Sequence, residues 1–173
     1  MALYRNKSNG SVTFYDPRNP FNTAIPPGHV VDEADNPGVA NHQDFDKVDD
    51  FWTFAQSHPG SRIAIVRSYA LGDCLMAYAI LRTLQPQLEA LDIKIVLFTQ
   101  RRFYHAFKYL RGGPIDWSVD EKLALVPDVQ RSFDVAFSLN GVLERDHALK
   151  ENAQENRLQM LAKALGVEEI IDT

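Results

Sequence analysis

The sequence predicts an α/β protein: one domain on a mostly parallel sheet, preceded by an irregular N-terminal stretch and one helix. Three observations predict it. Ile63-Ala-Ile-Val66 and Ile93-Lys-Ile-Val-Leu-Phe98 are short apolar runs, as in strands buried on both faces. Segments with apolar residues three and four apart follow them, and strands alternating with helices call for crossover connections. The length, 173 residues, suffices for one buried core.

Composition narrows the class. Hydrophobic residues make up 45% and charged residues 24%, ordinary for a globular chain. The net charge of −5 gives no whole-chain attraction for nucleic acid or anionic membrane, although a local patch still can. The single cysteine, Cys74, cannot form an internal disulfide, which fits a reducing compartment. The N-terminus lacks the apolar core of a signal peptide, and no run approaches the roughly 20 apolar residues of a spanning helix. A soluble, cytoplasmic protein with no membrane span is expected.

From Met1 to about Asn41 the text is rich in Asn, Pro, Gly and Asp. Asp16-Pro-Arg-Asn-Pro20 and Ile25-Pro-Pro-Gly28 signal turns, and only Ser11 to Tyr15 reads as a strand. Tyr4, Val12, Phe14, Tyr15, Phe21, Ile25, Val30 and Val31 are too many aromatic and aliphatic groups for a solvated tail. Residues 1–43 are therefore expected to form an extended arm that packs on something, and residues 44–173 the domain.

The domain reads in order. Phe45, Val48, Phe51, Trp52 and Ala55 mark a helix from Asp44 to His58. A strand at Arg62–Val66 leads through the loop Ser68–Gly72 into a helix from Asp73 to Leu84, stopped by Pro86. A second strand at Ile93–Phe98 and a helix at Arg101–Leu110 follow, then the break Arg111-Gly-Gly-Pro114. Lys122–Val126 reads as a third strand, Phe133–Leu139 as a fourth, and Glu144–Leu165 as a long last helix with Gly166 as its C-cap. This is a Rossmann-like, three-layer half-domain.

Chemistry concentrates after the first parallel strand, in Arg67-Ser-Tyr-Ala-Leu-Gly-Asp73. Ligands of open α/β sheets bind at the carboxyl ends of strands, beside helix N-termini. Gly72 permits close backbone approach. Asp73, in the first helical turn, could take a proton from a substrate hydroxyl. Spacing alone favours a plainer role, helix N-cap. The turn matches neither the dinucleotide fingerprint nor the phosphate loop. Cys74 reads as a small core residue, and the five histidines show no metal-ligand spacing, so no metal and no cofactor are expected. Arg101, Arg102, His105, Lys108 and Arg111, interleaved with Phe103, Tyr104 and Tyr109, could hold phosphate or nucleic acid, although such flanks are more often solvated faces, and nucleic acid is not the expected partner.

The strand followed by R-x-x-x-L-G-D and an apolar helix resembles the opening of the lipopolysaccharide heptosyltransferases, bacterial glycosyltransferases of family 9 with the GT-B fold. Phe133-Asp-Val-Ala-Phe-Ser-Leu-Asn-Gly141 is similar to that family's later strand, and Asn156-Arg-Leu158 through Leu165-Gly-Val167 to the helix leading to a Leu-Gly pair. The resemblance spans about Arg62 to Val167. It implies the acceptor-side lobe of a two-lobed, metal-free transferase, with Asp73 as general base. It implies a sugar or sugar-phosphate near Ser68, Tyr69, Leu71, Gly72, Asn140 and Gly141.

The sequence stops at Thr173, where the family's donor lobe begins. Two expectations follow. One is a glycosyltransferase-like domain, non-catalytic alone, serving as a structural subunit of a larger assembly such as a virus particle, joined to other subunits through its arm. The other is a transferase half that works only with a partner chain.

Overall fold

A computed structural model describes residues 2–14, 24–33, 36, 38–68, 70–110, 114–118, 120–140, 142 and 156–167. Tyr15, Tyr69, Arg111 to Gly113, Gly141 and most of the predicted last helix, 143–155, lie outside the described residues.

The architecture is α/β, with a seven-stranded, mostly parallel sheet flanked by helices. The strands are β1 (Leu3–Asn6), β4 (His29–Asp32), β5 (Phe45–Val48), β6 (Arg62–Val66), β7 (Lys94–Phe98), β8 (Ile115–Ser118) and β9 (Val135–Ser138). Their spatial order is β5-β1-β4-β9-β6-β7-β8. The five from β4 to β8 run parallel to their neighbours, while β1 is antiparallel to both β4 and β5. A separate hairpin joins β2 (Val12–Thr13) and β3 (Ala24–Ile25).

Alternation along the central strands builds two unequal cores. Ile63 and Ile65 of β6, Ile95 and Leu97 of β7, and Val135 and Phe137 of β9 point into the large one. There they meet α1 (Phe51–Ser57), α2 (Leu71–Thr83), α3 (Gln85–Ala90), α4 (Tyr104–Phe107) and α6 (Arg157–Leu165). Ala64, Val66, Phe98 and Ala136 point the other way, to a thin layer with Phe133 and Val129, the latter from α5 (Pro127–Gln130). The chain steps from β6 to β7 to β8 and returns across the opposite face to β9, so the connections cover both faces.

Several expectations need correction. The region read as an arm with one strand supplies β1 and β4 to the main sheet, and Tyr4 and Val31 pack with Ile25, Val39 and Phe45 in a third cluster. The helix expected from Asp44 begins only at Phe51. Phe45 faces the third cluster and Val48 the large core, which is strand alternation that three-residue spacing disguises. Asp50 separates the two elements: its carboxylate accepts from Thr53 N at 2.9 Å and caps α1. α2 ends at Thr83, as the stop expected before Pro86 has it, and Pro86 itself stands in the first turn of a new helix, α3, where its missing N–H costs nothing. The third parallel strand is Ile115–Ser118, with Ile115 and Trp117 in the large core. Lys122–Val126 instead falls largely in a 3₁₀ turn, Glu121–Leu125, capped by Asp120. Arg101–Leu110 is a 3₁₀ turn (Arg101–Phe103) running into the short α4. Gly166 ends α6 in the left-handed region, φ 73°.

Candidate functional site

The chain leaves β6 in one direction and β9 lies on its other side, so these two strands flank the topological switch point. Ligands of doubly wound sheets bind there, outside the carboxyl ends. The β6 end carries Arg67 and Ser68, and the β9 end carries Leu139 and Asn140. Leu139 N donates to Val66 O at 2.9 Å, which extends the pairing past the strand ends.

Two predicted site residues, 72 positions apart, meet here. Ser68 N donates to Asn140 Oδ1 at 2.8 Å, and Asn140 Nδ2 donates to Ser68 Oγ at 3.1 Å. Asn140 thus staples the two loops across the switch point.

Asp73 is not an N-cap. The helix starts two residues earlier than expected, at Leu71, after Ala70 at φ 55°, and the cap position offers no side-chain acceptor. Asp73 is the third helical residue and is 5% exposed. Its Oδ2 accepts from Arg67 Nη2 at 2.7 Å. Arg67 is fully buried and also donates through Nη1 to Leu139 O at 2.8 Å. Asp73 Oδ1 faces Arg157 Nη1 of α6 at 3.4 Å, an arginine whose side chain is half exposed. A carboxylate from α2, a buried guanidinium from β6 and a half-exposed one from α6 form one ionic group, tied to β9 through the Leu139 carbonyl. Leu71 and Gly72 lie on the exposed side of the same turn, and a Cβ at Gly72 would meet nothing within 4 Å. The close approach argued for Gly72 is therefore available to an incoming molecule but is not used within the chain.

Cys74, next to Asp73, is buried, and its thiol donates to Arg67 O at 3.1 Å. Burial pushes its pKa from 9.0 to about 11; Asp73 and Glu121 add to the rise, and Arg67 and Arg102 oppose it. It is a protonated core thiol.

The sequence reading missed Arg67 and Arg157 as partners of Asp73. One signal for Arg67 was present: an arginine directly continuing the buried run Ile63–Val66 needs an anion, and Asp73 is six residues on. Nothing local marked Arg157, which resembled its solvated neighbours. The Phe133-Asp134 pair has a structural use. Asp134 Oδ2 accepts from Arg62 N at 2.8 Å, and the Arg62 guanidinium lies 5.3 Å from the Phe133 ring centre.

A shallow crevice among the described residues lies elsewhere, on the thin-layer face, lined by Pro27, Gly28, Ala64, Gln130, Phe133 and Ala136 among others. Gln130 Nε2 is buried with no hydrogen-bond partner among the described residues. No three or more His, Cys, Asp or Glu side chains among the described residues are grouped to hold a metal. No described helix is long and apolar enough to cross a membrane. No family model, no curated protein and no solved structure matches this chain, so the heptosyltransferase likeness rests on the short motifs quoted above.

Proposed function

We propose that this chain is a transferase-like single domain that does not catalyse by itself and serves as an interaction subunit of a larger assembly. The observation that carries the reading is the engagement of Asp73. A general base must come within about 2.6–3.2 Å of the proton it takes. Here the carboxylate is buried, with Arg67 on one oxygen and Arg157 facing the other. The group reads as a clamp joining β6, α2 and α6. An assembly contact finds support beside it. Leu71 and Leu75, one turn apart on α2, are exposed, as is Ala79 beyond them, so the outer face of this helix is apolar up to Ala79, before the exposed Arg82. The N-terminal segment is a less suitable docking arm, because β1 and β4 are paired within the sheet. A cytoplasmic complex or a virus particle is the setting this reading implies.

The test has two arms. Purified chain is incubated with nucleotide sugars and saccharide acceptors, and products are sought by mass spectrometry; transfer by the chain alone refutes the non-catalytic half. Molar mass is followed by light scattering against concentration, for the natural chain and for Leu75→Glu. Assembly that the substitution weakens is expected. A monomer at every concentration, indifferent to Leu75→Glu, refutes the assembly half.

A second reading has one observation in its favour. Gly72 and Asp73 stand at the switch point, where a sugar or sugar-phosphate would bind. In a partner-dependent transferase, Arg157 would swing away and Asp73 would act as base. Asp73→Asn would then abolish transfer in the presence of a donor lobe, with circular dichroism checking that the chain still folds without the carboxylate beside Arg67.

A further inference from the structure

The strongest concentration of unused chemistry lies on the segment after β7. From Ile93 to Ile115 the sequence has no carboxylate, while four of the chain's 18 lysines and arginines fall between Arg101 and Arg111. An acidic chain thus carries one stretch of purely positive text.

The structure shows how that stretch is held. Phe103 and Phe107, four residues apart, are buried in the large core and fix the turn and α4 against the sheet. The opposite side therefore faces out. Arg101, Arg102 and His105 are exposed and Lys108 is half-buried. Arg101 and Arg102 stand in the 3₁₀ turn, His105 in α4 and Lys108 just past its end. None of these four forms an ion pair with a described carboxylate, whereas Lys7, Arg67, Lys94, Arg131 and Arg157 all do. Between the cations stand two tyrosines, Tyr104 at 42% exposure and Tyr109 at 80%, the latter with Lys108 Nζ 4.5 Å from its ring centre.

We infer that this face binds single-stranded nucleic acid, with Arg101, Arg102 and Lys108 on successive phosphates and Tyr104 and Tyr109 as stacking surfaces for bases. The cations answer a polyanion, and exposed tyrosine rings answer the faces of unpaired bases, which a duplex keeps stacked and an acidic peptide does not have. The inference uses none of the residues of the Asp73 group, so it does not depend on the function proposed above. It departs from the sequence-level expectation, which noted this basic, aromatic-interleaved flank but ranked a solvated face above a nucleic-acid site.

The experiment is fluorescence anisotropy of a labelled oligothymidylate titrated with the full-length chain at several salt concentrations. Three phosphate contacts predict a slope of log affinity against log salt of about −2. The double variant Arg102→Ala/Lys108→Ala, whose fold is checked by circular dichroism, should reduce the slope to below about 1 in magnitude. Tyr109→Ala should weaken binding by about fivefold or more with the slope unchanged. If the double variant unfolds, Arg101→Ala, which should lower the slope by about 0.7, replaces it. No binding at low salt overturns the inference. So does a duplex that binds as tightly while Tyr109→Ala changes nothing, which would mark a general cationic surface. Competition by polyglutamate of equal charge, as effective as the oligonucleotide itself, overturns it in favour of an acidic protein partner.

Discussion

Replacing Asp73 with alanine tests the account of the candidate site most directly. Arg67 is fully buried, and its contact to Asp73 is 2.7 Å with the carboxylate 6% exposed. Removing one partner of a buried ion pair leaves an uncompensated charge away from water and costs about 3–5 kcal/mol. The Leu139 carbonyl remains as an acceptor for Nη1, which places the expected loss toward about 3 kcal/mol. Arg157 is the internal comparison. Its side chain is half exposed and its contact is 3.4 Å, so Arg157→Ala should cost less than about 1 kcal/mol. The assay is urea unfolding followed by the fluorescence of Trp52 and Trp117, with the slope m shared between variants. For a chain of this length, about 3 kcal/mol corresponds to a fall in Tm of roughly 6–12 °C. The double variant Arg67→Met/Asp73→Ala should recover much of the loss, because no buried charge is left alone. An Asp73→Ala loss no larger than that of Arg157→Ala, or a double variant less stable than Asp73→Ala, would refute the clamp.

Other outcomes follow from the same geometry. Asn140→Ala removes the acceptor of the Ser68 amide and a partner of its hydroxyl; a loss of about 1–2 kcal/mol is expected, with faster hydrogen exchange at the Ser68 amide as the specific readout. Cys74 should stay unmodified by a thiol reagent at pH 8 in the folded chain and react on unfolding. Its folded pKa, about 11, lies above the unfolded value of 9.0, so the folded state holds the proton more tightly. That contribution to stability is complete below pH 9 and is lost as pH rises towards 11, which pH-dependent urea melts should record. Gly166→Ala places a side chain at φ 73° and drives its Cβ into the Asp50 carboxylate that caps α1; a loss of about 1–3 kcal/mol is expected by thermal melting, and restoring glycine removes it.

What could be read in advance follows from how each element is specified. β6, β7 and β9 are continuous apolar runs because both sheet faces are covered, and such runs declare themselves without knowledge of their partners. The α2 segment was legible for the same reason, and the Gly-Asp turn could be assigned to its start. Ser68 and Asn140 were both singled out, yet nothing in the text says that they bond to each other across 72 positions. β1, β4 and β5 were opaque. Leu3–Asn6 has mixed polarity, and it is a strand because Val30–Asp32 lies on one side and Phe45–Val48 on the other. Phe45 and Val48 deceived because three-residue spacing fits a helix face as well as opposite faces of a strand.

By itself, then, the sequence determined the α/β class, the alternation at its centre and the location of the Gly-Asp turn, all properties of local apolar patterning. The tertiary structure alone decided that the N-terminal segment completes the sheet, and that the carboxylate most suited to proton transfer is held by Arg67 and Arg157. Strand pairing and ion pairing are made between distant positions, and their energies depend on burial and distance. Neither exists until the chain has closed around them.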